Sequence, residues 1–146
     1  LRDSLLFVSG TLDTEPGEKP LRFDEKNHKR TVYGFVSRRK MDSTLALFDF
    51  PNPNNTSEAR ITTNVPLQRL FFMNSDFVEK QAKALADRFT NATDDEDRIR
   101  RMYRTLFGRA PEQGEIETGV QYIKDTNDWV SYARVLLSSN EFLFAD

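Results

Sequence analysis

Between positions 99 and 111 the chain spells out a helix, its stop and the start of another helix, and that order limits the folds open to it. Ile99, Met102, Tyr103, Leu106 and Phe107 recur at i, i+3, i+4, i+7 and i+8, the spacing of one helix face. Gly108 follows, a residue that takes positive φ at a helix C-terminus without a Cβ clash. Pro111 then suits a first helical turn. A helix with one apolar stripe must bury it against neighbours, and the flanking sequence supplies them.

On the N-terminal side, Pro66 opens a segment in which Leu67, Leu70, Phe71 and Met73 stand at helical spacing. Ser75 can cap a helix whose face is Val78, Ala82, Leu85, Ala86 and Phe89. Thr93 with Glu96 fits a capping box. On the C-terminal side, Ile116, Val120 and Ile123 share one face. Asn127 or Thr126 is placed to cap a last helix lined by Trp129, Ala133, Leu136 and Leu137, and Phe142 and Leu143 extend the apolar content. Ile99, Met102, Leu106, Val120, Ile123, Trp129, Leu136 and Leu137 are expected to form one core.

The first 65 residues read differently. Leu1 to Val8 resembles the end of a helix stopped by Ser9-Gly10, and Thr11 to His28 has loop composition with Pro16-Gly17 and Pro20. Thr31 to Val36 is β-branched and aromatic, which suits a short strand. Met41, Leu45, Leu47 and Phe48 suit a turn or two of helix, and Asp49 to Ser57, with Pro51 and Pro53, suits a loop. The expected fold is mainly α: a compact helical domain of about five to six helices, with long loops and at most a short β element near residues 31–37. Residues 1–65 are expected to be a loop-rich part packing on the helical part 66–146.

At 146 residues the chain fits one domain. Its first residue is Leu1, already helix-like, so it reads as a C-terminal fragment of a longer protein. Lys and Arg number 21 against 23 Asp and Glu, for a net charge of -2; this mixed, slightly acidic balance argues against nucleic-acid binding, which needs a basic face. No apolar run approaches the ~18 residues of a membrane span. Zero cysteines exclude disulfides, thiolate metal sites, Cys nucleophiles and covalent haem attachment within the chain.

Residues that invite a chemical role each have a plainer reading. The one histidine, His28, lies in Lys26-Asn27-His28-Lys29-Arg30, a solvated cationic loop. Asp94-Asp95-Glu96-Asp97 lacks the alternation and glycine of a calcium loop, and acids in a first helical turn complement the helix dipole. Arg98, Arg100, Arg101 and Arg104 suit a charged helix face with ion pairs. Ser37-Arg38-Arg39-Lys40 has the bare Ser-x-x-Lys spacing but none of its companion motifs. Asn54, Asn55 and Asn91 head formal glycosylation triplets, which arise often by chance. Arg109 stands apart: it occupies the tight turn between two helices, where Glu141 is the natural carboxylate to meet it if the last helix folds back. No metal, haem or nucleotide cofactor is expected.

Several segments, taken in order, resemble one family. They are Leu1 to Gly10, Arg30 to Arg38, Phe48-Asp49-Phe50-Pro51-Asn52-Pro53, the run from Arg60 through Thr62-Thr63-Asn64-Val65-Pro66-Leu67-Gln68 to Asn74-Ser75, the Gly108-Arg109-Ala110-Pro111 turn, and Ser139-Asn140-Glu141-Phe142-Leu143. The set resembles the C-terminal part of the family called domain of unknown function 1553, over essentially the whole chain. The resemblance implies a large exported protein of planctomycetes and related bacteria, located in the periplasm or cell envelope and often carrying an upstream cytochrome-c-like domain. It supplies no catalytic residue.

The function expected is therefore a non-catalytic structural or interaction module, with the upstream domains of the same protein as partners and a protein or polysaccharide as a further ligand. Arg60, Thr62, Thr63, Gln68, Asn74, Arg109, Asn140, Glu141 and Asp49 are the candidate motif residues. They are read as structural, with Arg60, Thr62, Thr63, Gln68, Asn74 and Asn140 as caps and backbone ties, because polar groups under long loops need partners. Two alternatives stand beside this. One is part of a polysaccharide hydrolase, which needs two carboxylates roughly 5–9 Å apart, for which Asp49 and Glu141 are the candidates. The other is a docking surface for an upstream haem domain. The reading leans away from an enzyme.

Overall fold

The computed structural model describes residues 1–17, 19–23, 27–37, 42, 45 and 66–143, with the side chains of 66–69 left aside. Among the described residues the elements are helical. They are α1 (Arg2–Ser9), a single 3-10 turn (Thr31–Tyr33), α2 (Pro66–Asn74), α3 (Asp76–Arg88), α4 (Asp95–Phe107), α5 (Gln113–Thr126), α6 (Trp129–Leu137) and α7 (Asn140–Leu143). No strand occurs among them; extended pairing is limited to two isolated parallel bridges, Asp13 with Lys29 and Leu21 with Gly34. Thr31 to Val36 is thus not a strand. Asp3 Oδ1 takes both the Thr31 amide (2.7 Å) and its hydroxyl (2.5 Å), which pins the chain into a turn where propensity favoured extension.

The core forms where α3 and α6 pack together, with α1 and α2 laid on α3, α4 on α5, α5 on α6, and α7 against α4 and α6. Val78, Ala82, Leu85 and Ala86 of α3 and Ala133 and Leu137 of α6 are all essentially inaccessible. Their alanines leave the backbones room to approach closely. One buried cluster joins these to Leu5, Val8, Phe72, Ile99, Met102, Leu106, Ile123, Leu136 and Phe142, with Val120, Trp129 and Phe107 packed at its edge. The expected core therefore exists, but Val120 and Trp129 sit at its margin. Buried Leu45 is helical; Met41, Leu47 and Phe48 lie outside the described residues, as does the proline-rich loop 49–57.

In α2 the expected face is turned. Phe72 is 1% exposed while Leu70 and Met73 are 50% and 65% exposed. Phe71 meets Phe72 edge-to-face at 5.8 Å, so the large aromatic pair won the interior from the aliphatic spacing.

The helix ends show which stop and start signals operate. Gly10 and Gly108 both take positive φ, 76° and 68°, as the sequence suggests. The α4 cap is shifted by one residue from expectation. Asp94 Oδ1, not Thr93, accepts the Asp97 amide at 2.8 Å, and Asp97 Oδ2 returns to the Thr93 amide at 3.1 Å. Asn127 does not cap α6; it closes α5 in the left-handed region (φ 51°), its amide bonding Ile123 O at 2.8 Å. Asp128 caps α6 instead, accepting the Ser131 amide at 2.9 Å. Aspartate outcompetes Thr or Asn here because its ionised oxygen also meets the positive helix end.

Candidate functional site

A fork of ion pairs on the described surface is centred on Arg109. Gly108 turns the chain out of α4, and Arg109 then lies between the end of α4, the first turn of α5 and the short α7. Its Nε and Nη2 donate to Glu141 Oε1 (2.6 Å) and Oε2 (2.8 Å). Nη1 and Nη2 donate to Glu115 Oε2 and Oε1, both 2.8 Å, and Nη1 also reaches the Ala110 carbonyl at 3.1 Å. One planar guanidinium thus forks onto two carboxylates, the geometry in which arginine is strongest. Below it lie the rings of Tyr103 (5.4 Å) and Phe107 (5.8 Å), which hold a cation by their negative faces.

The electrostatics follow. Hydrogen bonds from Arg109 hold the Glu115 and Glu141 carboxyls below the usual carboxylate value, and the same bonds, Glu115 first, push the Arg109 guanidinium further up. Glu115 has a second duty, since its Oε2 accepts the Glu112 amide at 2.7 Å and so caps α5. The site is half-open: the side chains of Arg109, Glu115 and Glu141 are 37%, 31% and 44% exposed. Glu141 is thus an exposed carboxylate rather than a buried one. Beneath them Tyr103 and Tyr132 share a hydrogen bond, and burial pushes both phenols up, Tyr132 the more strongly. Tyr132 packs against Gly119, where any Cβ would stand 2.5 Å from its hydroxyl.

A second arginine is used differently. Arg98 lies over the Trp129 ring at 4.0 Å, and its Nη2 donates to Ala86 O at the end of α3 (2.7 Å). It ties α3, α4 and α6 at one corner. Among the described residues its Nε is buried without a partner, and burial lowers its guanidinium. The remaining expected ion pairs are surface pairs one helical turn apart, Arg100 with Glu96 and Arg101 with Asp97.

A separate polar knot fastens the end of α1 to α3. Ser9 Oγ and Thr11 Oγ1 lie 2.6 and 2.7 Å from Gln81 Oε1 and 2.9 Å from each other. Arg88 Nη1 donates to the Val8 carbonyl at 2.7 Å. Arg2 reaches the carbonyls of Asn27 and Lys29 and faces the rings of Phe23 and Phe77.

Of the sequence-predicted site residues, the structure joins Arg109 to Glu141. Asn74 and Asn140 are exposed at the end of α2 and the start of α7. Gln68 lies in α2 with its side chain outside the description, and Arg60, Thr62, Thr63 and Asp49 lie outside the described residues; the Asp49–Glu141 pair of the hydrolase alternative falls there too. His28 is half-buried, with its carbonyl accepting the Asp13 amide at 2.9 Å. Sequence reasoning missed Glu115, although a glutamate four positions after Pro111 in a starting helix was the available signal. It also missed the Arg98–Trp129 stack and the Ser9–Thr11–Gln81 knot, which join residues too distant for any local pattern. Among the described residues no group of three His, Asp or Glu side chains is placed to hold a metal ion, and no helix is long and apolar enough to cross a membrane.

A family model described as PSD1, protein of unknown function (DUF1553), matches residues 1–123. The match ends within α5, so it takes in Arg109 and Glu115 but not Glu141 or the Ser139–Leu143 motif that the resemblance had included. No curated protein and no solved structure matches the chain.

Proposed function

We propose that this chain, which belongs to the PSD1 family of unknown function (DUF1553), is a non-catalytic structural or interaction module of a larger exported bacterial envelope protein. In this reading the periplasm or cell envelope is its location, upstream domains of the same protein are its partners, and residues 1–65 brace the helical part 66–146. The envelope setting rests on the family resemblance of the motifs.

The observation that carries the non-catalytic reading is the use of the Arg109 fork. Its donors are taken up by two internal carboxylates and a carbonyl that join α4, α5 and α7. A guanidinium spent on helix ends holds the fold and leaves no fork open for an anionic ligand. The same bonds work against Glu141 as the general acid of a hydrolase. A general acid needs a raised pKa, whereas Arg109 holds the Glu141 carboxyl down.

The test uses the full-length protein and a panel of envelope polysaccharides, with release of reducing ends as readout. The module reading expects Glu141→Gln to leave any turnover unchanged while lowering the melting temperature. Loss of turnover at an unchanged melting temperature would overturn it.

A further inference from the structure

As described, α7 is too short to stand alone. Four residues, Asn140–Leu143, cannot offset the cost of nucleating a helix, so α7 is helical because it is docked. Its docking uses two anchors of different chemistry. Glu141 meets the Arg109 fork, and Phe142, 7% exposed, enters the shared core where α7 packs on α4 and α6. An acidic residue followed by a buried aromatic is a plug, and the turn after α4 with its neighbouring helices is the socket.

The link between plug and body is two residues, Ser138 and Ser139. Ser138 already has helical backbone angles, φ -93° and ψ 0°, and its amide bonds Arg134 O at 3.0 Å in the helical pattern. Ser139 stands between Ser138 and the first residue of α7, and its Oγ accepts the Phe142 amide at 3.3 Å. Straightening this single position would run α6 into α7 as one continuous helix and carry the plug away from its own socket.

We infer that the plug Glu141–Phe142 of one chain can enter the Arg109 socket of a second copy of this chain, so that the socket is an exchange interface. The exchange keeps the ion pair and the buried ring and alters only the hinge, which is why swapping an identical element between copies is a low-cost route to dimers. The closed form dominates when dilute, since the tethered plug has a high effective concentration, and exchange grows with protein concentration. The inference stands on the Arg109–Glu141–Phe142 geometry and not on the envelope reading.

Two full chains with complementary defects test it. In one, Glu141→Ala with Phe142→Ala removes the plug and spares the socket; in the other, Arg109→Glu spoils the socket and spares the plug. Circular dichroism verifies that both are helical. Each alone is expected to sediment as a single chain, and an equimolar mixture at on the order of 0.5 mM, well above dilute-solution conditions, is expected to yield a one-to-one dimer. A mixture that stays at single-chain mass overturns the inference. A second variant leaves plug and socket intact: Ser139→Ala removes the bend's cap and favours a continuous helix, and is expected to raise the dimerisation constant about tenfold. An unchanged constant counts equally against exchange.

Discussion

The Ser9 hydroxyl, at the end of α1, lies 2.6 Å from the side-chain oxygen of Gln81 in the middle of α3, and both residues are buried. Thr11 reaches the same oxygen, so one amide holds the helix end and the chain leaving it. A buried amide oxygen with two hydroxyl partners fixes where α1 sits on α3, whereas apolar packing alone would tolerate sliding.

Replacing Gln81 with Leu keeps volume but removes that acceptor. Ser9 retains the Leu6 carbonyl at 3.0 Å and Thr11 retains the Ser9 hydroxyl at 2.9 Å, so what is lost is the tie from α1 to α3. The expected cost is about 1–2 kcal/mol in urea unfolding, with faster amide exchange in α1 than in α3. Equal protection of both helices in the variant would contradict the assigned role.

Two glycines in α5 should respond oppositely to alanine. At Gly119 the added carbon would stand 2.5 Å from the Tyr132 hydroxyl and 2.9 Å from Ile99 Cδ1, and Gly119→Ala should cost about 1–3 kcal/mol from overpacking. Gly114 has open space around the same position, and Gly114→Ala should stabilise by roughly 0.5 kcal/mol. Calorimetric melting of the two variants checks the contrast; a shift of the same sign in both would mean that α5 packs by another face.

The centre of the core sets a third expectation. Leu85 and Leu137 are fully buried on the two helices that pack most closely, and truncating either to Ala should cost about 2–5 kcal/mol. Val120→Ala, at the margin, should cost less than either. Chemical denaturation curves giving Val120 the largest loss would place the core elsewhere.

Acid should loosen the Arg109 clamp. Glu115 and Glu141 have folded pKa values depressed below their ordinary 4.5, with the Arg109 hydrogen bond as first cause. A depressed carboxyl contributes stability that is fully present above the unfolded value and is lost as pH falls through the folded one. Asp97, held down by Arg101, and Asp128, held down by Ser131, act in the same sense. Urea midpoints should therefore be flat from neutral pH to about 5.5 and fall below about 4.5. Arg109→Ala should flatten part of that fall, and an undiminished acid slope in the variant would remove the clamp as its source.

Much of this architecture could be read from local pattern. The α4 stripe, the Gly108 stop and the buried faces of α3 and α6 follow from spacing, because a helix places residues three and four apart on one side. Arg109 with Glu141 was legible too, since a cation in a tight turn is satisfied by a carboxylate on a helix that folds back onto it. What escaped depended on competition between near-equal local choices. Asp94 beat Thr93, Asp128 beat Asn127, and Phe72 beat Leu70 for the interior, differences of one or two positions set by charge and ring size. The turn at Thr31 escaped for another reason: its cause, Asp3, lies 28 residues away.

The central claim, that Arg109 binds the ends of three helices and not a ligand, is tested most directly by a double-mutant cycle. Unfolding free energies are measured for the unaltered chain, Arg109→Ala, Glu141→Ala and the pair. For exposed groups in bidentate geometry the expected coupling is roughly 0.5–1 kcal/mol, so the double variant should lose less than the two single losses combined. Strictly additive losses would contradict the account and leave the Arg109 fork free to serve another partner.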